Sequence, residues 1–192
     1  MKIDIKKEGR SLLDVYSTIP TSFQVDSIYR LETDFAESLM LELKEEKIDK
    51  PFIKDYDKHP CDRPKEELKK FDIENWVFYG AYLDSSLAGC LILAHKSKKV
   101  YMLEGRDDIM CLWDIRIHPD LRRKGIGSKL FEAAVEETAR LGCKFMKIET
   151  QNINVQACKF YKKQGCELGT ISRYAYKDYP DEIQFVWYYF IR

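Results

Sequence analysis

Apolar and polar positions alternate through "IPTSFQVDSIYRLE" (19–32), the pattern of a half-buried strand. From Asp34 the spacing changes. In "DFAESLMLELKEEKI", Phe35, Leu39, Leu43 and Met40 share one helical face, and Asp34 is placed to cap it, so a helix is predicted here. Residues 50–74 carry Pro51, Pro60 and Pro64 among dense charge and predict a long surface excursion of the kind that borders binding sites. Two strands follow, "NWVFYGAYL" and "LAGCLILAHKS", joined at Asp84-Ser85-Ser86 as a hairpin, with "KVYMLEG" as a third short strand. "IMCLWDIRIHP" is the next strand, stopped by Pro119. A helix then opens, with Leu130, Phe131, Ala134, Thr138 and Leu141 on one face, Glu132, Glu136, Glu137 and Arg140 on the other, and Gly142 at its end. "CKFMKIET" reads as a strand and "NVQACKFYKKQ" as a helix capped by Asn154 and stopped by Gly165; "CELGTIS" and "EIQFVWYYFI" close the chain as strands.

Hairpins first and strand–helix alternation afterwards predict an α/β (α+β) arrangement, a mixed sheet covered by helices. No repeat or break in composition divides the 192 residues, so one domain over 1–192 is expected. Lys+Arg 32 balance Asp+Glu 32, which leaves no broad basic surface for a nucleic acid. Positive charge that matters is therefore local, as at Arg122-Arg123-Lys124. Cys61, Cys90, Cys111, Cys143, Cys158 and Cys166 form no C-x-x-C pair and no zinc-type pattern with histidine, so no metal is expected. "MKIDIKKEGR" lacks the apolar run of a signal peptide, and no stretch approaches the ~20 apolar residues of a membrane span. A reducing cytoplasm is the expected setting, with no membrane partner.

The chemistry concentrates in "DLRRKGIGSKLF" (120–131). A helix start presents backbone N–H groups and the positive end of the macrodipole, and phosphate suits both. Gly125 and Gly127 remove Cβ atoms that would keep such a guest away, and Arg122, Arg123, Lys124 and Lys129 can add charge. The nucleoside-triphosphate pattern G-x-x-x-x-G-K-[ST] and the dinucleotide pattern G-x-G-x-x-G both fail at Leu130.

The run Ile115-Arg116-Ile117-His118-Pro119-x-x-Arg122-x-x-Gly125-Ile126-Gly127, with the later Asn154-x-x-Ala157-x-x-Phe160-Tyr161-x-x-x-Gly165, resembles the acetyl-CoA site of the GNAT superfamily of N-acetyltransferases. A narrower resemblance, to the streptothricin acetyltransferases of antibiotic resistance, is carried by "IETQNINVQACKFYKKQGCELG" and "EIQFVWYYF", and upstream by "VDSIYRLE" and "PFIKDYD". It departs at Trp113-Asp114, where those enzymes carry an acidic pair. The resemblance implies a mixed, mostly antiparallel sheet with a splayed parallel strand pair. It also implies that Arg122, Arg123, Lys124, Gly125, Ile126, Gly127 and Ser128 hold the pyrophosphate of acetyl-CoA. Ile115 and Ile117 would offer backbone groups to its pantetheine arm, and Asn154 and Tyr161 would flank the arm near the sulfur.

Acetyl transfer to an amine needs a neutral nucleophile, a donor for the carbonyl oxygen and a proton for the departing thiolate. By resemblance Ile117 N–H is the oxyanion donor and Tyr161 the acid, unless Tyr161 is a packed aromatic. Asp114 and Glu149 are the candidates to accept the amine's proton, directly or through water, and to anchor a cationic substrate. Trp113 is the aromatic expected at the substrate; Trp76, Tyr79, Tyr82, Trp187, Tyr188 and Tyr189 are expected to pack. His118 reads as a turn residue and Cys158 as no nucleophile. The expected activity is acetylation of a small cationic amine of the streptothricin kind. The alternatives are a protein or peptide N-terminal acetyltransferase and a non-catalytic acetyl-CoA-binding domain. Pairing of two copies through the C-terminal strand is possible if that strand lies at an edge.

Overall fold

A computed structural model describes residues 2–34 and 40–192. The backbone gathers into two compact units, one of Met1–Ser22, Asp55–Ile148 and Tyr188–Arg192, the other of Phe23–Lys54 and Glu149–Trp187.

In the first unit β1 (Ile3–Glu8) pairs antiparallel with β4 (Val77–Leu83), and β4 with β5 (Ser86–Ala94). The β4–β5 turn is the expected one: Asp84 and Ser85 both take positive φ, 49° and 68°, whose twist matches that of the flanking strands. β5 pairs antiparallel with β6 (Ile109–Ile117), which runs parallel to β7 (Phe145–Gln151) after the crossover helix α3 (Ile126–Arg140). Ala88 and Cys90–Ala94 are all buried, because β5 is covered on both faces. α3 turns Ile126, Leu130, Phe131, Ala134 and Thr138 into this core, where each large apolar side chain contributes about 1.5–3 kcal/mol. Gly89 lets the layers meet: a Cβ there would lie 2.8 Å from the Arg116 carbonyl oxygen and 3.2 Å from Leu130 Cδ1.

Glu137, expected on the solvent face of α3, is buried instead. Its carboxylate accepts from Lys7 Nζ at 2.7 Å, Tyr79 Oη at 3.2 Å, and Arg140 Nε and Nη2 at 2.8 and 2.6 Å. The Arg140 bonds, outweighing burial, pull its pKa down to about 2. A folded-state value below the unfolded one stabilises at neutral pH, and that contribution is lost as pH falls from about 4.5 through about 2. Glu137→Gln is therefore expected to lower the thermal midpoint at pH 7. The gap from the wild type should narrow on acidification through that window, as calorimetry at stepped pH would record.

In the second unit β2 (Phe23–Asp34) and β3 (Met40–Lys54) form a two-stranded antiparallel ribbon from Phe23↔Lys54 to Asp34↔Met40, with a register shift between Val25 and Ser27. α4 (Val155–Lys163) and β8 (Glu167–Ser172) follow, and β9 (Gln184–Phe190) lies between β7 and β8. β9 is therefore flanked on both sides and is not an edge for pairing two copies. Asn152 fastens the ribbon: its backbone O accepts from Tyr29 N at 2.9 Å, and its Nδ2 donates to Tyr29 O at 3.1 Å. Its Oδ1 accepts from Ile183 N at 2.8 Å.

Three expectations are corrected. The helix predicted from Asp34 is strand wherever the structure describes it: Asp34 ends β2 rather than capping a helix, and Met40 and Leu43 lie in β3. Phe35 and Leu39 fall outside the described residues. Pairing with β2, reinforced by the cross-strand contacts Arg30–Glu46 and Lys44–Glu32, overrides the local spacing. The excursion at 50–74 begins as strand, and its remainder is compact, with α2 (Pro64–Glu67) followed by a 3₁₀ turn at Leu68–Lys70; Pro64 and Leu68 are buried. "KVYMLEG" is a 3₁₀ turn at Tyr101–Leu103, closed by left-handed Glu104 and Gly105, that buries Met102 and Leu103.

Candidate functional site

Between β6 and α3 the chain makes a short 3₁₀ turn at Pro119–Leu121 and then reverses through left-handed Arg123 (φ 61°) and Gly125 (φ 83°). Lys129 N donates to Gly125 O at 3.1 Å, so the helix leaves the amides of Ile126 and Gly127 without an i−4 carbonyl. A Cβ on Gly125 would find no atom within 4 Å, so the chain itself does not fill the space beside this turn. Arg123 and Lys124 are exposed. Arg122 is not: it turns inward, donating from Nε to Ile117 O and from Nη2 to Ser22 O, both at 3.4 Å, and burial lowers its pKa. Its role is thus to tie the loop to the strand, and the outward charge comes from its two neighbours.

β6 is bulged. Ile92 faces Asp114 and Leu93 faces Leu112, so Trp113 is the extra residue. On the opposite edge, the described parallel ladder with β7 runs from Ile109↔Phe145 to Leu112↔Ile148 and stops there. His118 N donates to Ala88 O at 2.9 Å. Because N–H directions alternate along a strand, the N–H groups of Ile117 and Ile115 face away from β5, toward the edge where the ladder has ended. The Ile115 N–H supports the Asp114 carboxylate.

Asp114 is locked to a buried arginine. Arg116 Nε donates to Asp114 Oδ2 at 2.6 Å, Nη2 to Asp57 Oδ1 at 3.1 Å, and Nη1 to Asp57 Oδ2 and, at 3.3 Å, to Ile19 O. The Arg116 side chain is 4% exposed, against 13% for Asp57 and 22% for Asp114. Tyr16 lies under the guanidinium, 5.0 Å from ring centroid to Cζ, and donates to Asp114 O at 3.4 Å. Burial pushes the Asp114 carboxyl up against the opposing pull of Arg116. Burial also opposes the charge on Arg116, but the two carboxylates outweigh it and raise the guanidinium pKa. Trp113 donates from Nε1 to Glu67 Oε2 at 3.3 Å and packs on Phe71 and Trp76, with centroids 5.0 and 5.1 Å away.

Glu149, Asn154, Cys158 and Tyr161 belong to the second unit. Glu149 Oε1 accepts from Tyr176 Oη at 2.8 Å. Asn154 caps α4 as expected, Oδ1 accepting from Ala157 N at 3.1 Å, so its side chain is engaged in the helix start. Tyr161 is buried, edge-on to Phe160 with centroids 5.4 Å apart. The Cys158 thiol, pushed up to about 12 by burial, stays protonated at neutral pH and is no ready nucleophile. His118 lies at the strand end with Nδ1 3.8 Å from Asp120 Oδ2. Trp76 and Trp187 are buried, Tyr79 and Tyr82 bond to Glu137 and Glu8, and Tyr189 packs on Phe131, as expected of core aromatics.

Residues 34–166 match the Acetyltransferase (GNAT) family. The chain belongs to the GNAT acetyltransferases. Streptothricin acetyltransferase A of Bacillus subtilis (strain 168) is 27% identical over 147 residues, 76% of this chain and 77% of its own. The streptothricin acetyltransferase of Escherichia coli is 30% identical over 120 residues, 61% and 64% of the two chains. The fold is that of a nourseothricin acetyltransferase crystal structure, with TM-score 0.77, 19% identity and both chains covered in full. It is equally that of a Bacillus anthracis str. Ames protein crystallised with acetyl coenzyme A, at TM-score 0.77 and 23% identity over 98% and 99% of the chains. This GNAT chain is an acyltransferase whose acetyl donor is acetyl-CoA. The unfilled space beside Gly125, the first-turn amides of α3 and the exposed Arg123 and Lys124 suit a diphosphate. Among the described residues no helix is long and apolar enough to cross a membrane.

Proposed function

We propose that this GNAT acetyltransferase moves the acetyl group of acetyl-CoA to a primary amine of a small cationic molecule, with a streptothricin-type antibiotic as the first acceptor. The observation that carries the reading is the edge of β6: its described ladder with β7 runs to Leu112, a carboxylate stands at the bulge beyond it, and the Ile117 N–H faces away from β5. The relatives named streptothricin acetyltransferases support the acceptor. Acetyl-CoA supplies an activated acetyl thioester when bound. The amides of Gly125, Ile126, Gly127 and Ser128, with Arg123 and Lys124, hold its diphosphate, and Arg122 shapes their loop. Ile115 and Ile117 present main-chain groups to the pantetheine arm, the Ile117 N–H serving the thioester carbonyl oxygen. Asn154 sets the start of α4, and Tyr161 on that helix gives its proton to the departing sulfur. Asp114 takes the amine's proton, directly or through water; its carboxyl, raised by burial, is shifted toward the range a general base requires. Trp113 and Glu149 complete the acceptor's surroundings. A cytoplasmic setting accords with the donor and with the buried free thiols of Cys90, Cys111, Cys143, Cys158 and Cys166.

A thiol-release assay with acetyl-CoA against streptothricin, polyamines and peptides tests the reading. Acetylated streptothricin is the expected product; turnover of peptides with none of streptothricin would replace it with N-terminal peptide acetylation. Gly125→Val tests the donor site. A β-branched residue forced to φ 83° costs about 1–2 kcal/mol of backbone strain, and its methyl groups occupy the space assigned to the diphosphate. Titration calorimetry should show acetyl-CoA affinity reduced roughly tenfold to a hundredfold, about 1.4–2.7 kcal/mol. Unchanged affinity would move the diphosphate elsewhere.

A further inference from the structure

The segment Pro64–Lys70 carries a carboxylate that the mechanism above leaves unused. Buried Pro64 and Leu68 anchor this segment, and Lys65 bonds Asp14 at 2.5 Å. With its ends fixed, Glu66 turns out to Lys69 while Glu67 turns in to the Trp113 indole. Glu67 and Asp114 thus stand on either side of Trp113, one through a hydrogen bond and one through the chain. The hydrogen bonds of Arg116 go to Asp114, Asp57 and the Ile19 carbonyl, not to Glu67. The partner Glu67 does have, the indole N–H, is neutral.

Glu67 responds as a carboxylate short of a counterion. Burial pushes its carboxyl up, the Trp113 hydrogen bond opposes this, Asp114 and Asp62 push it further, and Lys70 pulls the other way. Arg116 pairs with Asp57 and Asp114, while Glu67, beside Trp113, is reached by Lys70 through charge alone. A cation brought to Glu67 offsets the push of burial, Asp114 and Asp62.

The reacting amine cannot be that cation. To attack a thioester it must be neutral, so it offers a carboxylate no ion pair at the moment of transfer. Charge recognition therefore requires a second positive group on the acceptor. We propose that Glu67 is a specificity residue of this enzyme, binding an ammonium or guanidinium group of the acceptor other than the amine that is acetylated, and so selecting acceptors with at least two cationic centres. This inference rests on the cationic-acceptor reading above and adds to it the residue and the number of charges.

The test compares the wild type with Glu67→Gln and Glu67→Asp. Initial rates with acetyl-CoA are taken on streptothricin and spermidine, and streptothricin binding to the CoA-loaded protein is measured by calorimetry. Glu67→Gln should raise the acceptor KM and the dissociation constant about tenfold, the equivalent of about 1.4 kcal/mol. The KM for acetyl-CoA and the thermal midpoint should hold, and kcat should stay within about threefold. Glu67→Asp should recover part of the affinity, and added salt should shrink the difference between wild type and Glu67→Gln. Acceptor binding unchanged in Glu67→Gln while the wild type turns over streptothricin overturns this inference and leaves the function standing. Parallel loss of acetyl-CoA affinity or of thermal stability also overturns it, since the effect is then structural. If the wild type acetylates no polycationic amine, the reading beneath falls and takes the inference with it.

Discussion

Tyr161→Phe is expected to lower kcat about a hundredfold to a thousandfold while leaving acetyl-CoA binding and thermal stability where they were. The expectation follows from what the substitution keeps. Tyr161 is buried and edge-on to Phe160, and phenylalanine fills the same volume with the same ring contact. Only the phenolic O–H is lost, and with it the proton for the leaving thiolate. Single-turnover thiol release at saturating acetyl-CoA is the measurement. A rate within about threefold of wild type would make Tyr161 a packing residue and move the acid elsewhere.

Arg116→Met should cost about 3–5 kcal/mol, because removing one member of a buried ion cluster strands the others. Asp57 and Asp114 would then face each other with no guanidinium between them and the Ile19 carbonyl would lose its donor. For a chain of 192 residues this corresponds to a thermal midpoint lower by roughly 10 °C. The sign of the pH response is diagnostic. Carboxylates buried without a counterion have folded-state pKa values above their unfolded ones, so the variant gains stability on acidification as they take up protons. Wild type and variant should therefore converge as pH falls toward 4, and adding Asp57→Asn and Asp114→Asn to Arg116→Met should restore much of the loss at pH 7.

How much of this was legible beforehand depends on the range of the interaction. Apart from the 3₁₀ turn at Tyr101–Leu103, the strand–helix order from Val77 onward, the Asp84-Ser85 turn and the Asn154 cap are set by near neighbours, and the sequence pattern predicts them. The coincidence of the glycine spacing with the helix start at Gly125 is equally local. Residues 40–48 are helical in periodicity, but their partner, β2, is what decides. Glu137 reads as solvent-facing because it is a charged residue on a helix; Arg140 on the same helix, with Lys7 and Tyr79 arriving from two strands, makes its burial tolerable. Arg116 was visible as a motif letter, but its partner Asp57 lies 59 positions away. Glu67 carries no local signal: its tie to Trp113 bridges 46 positions and appears only once the 3₁₀ turns compact the excursion.

The bulge at Trp113 has an arithmetic consequence. Side chains along a strand fall to alternate faces, so one surplus residue shifts the phase of everything after it. With that surplus, Arg116 points inward to Asp57 and Tyr16 and the Ile117 amide turns to the open edge. Without it, the same letters would send the guanidinium to the wrong side and reverse the amide. Chain length at this spot is thus under a tighter constraint than the identity of the surplus residue: a substitution at Trp113 keeps the phase, whereas a one-codon deletion would scramble the parity that orients Arg116 and the Ile117 amide.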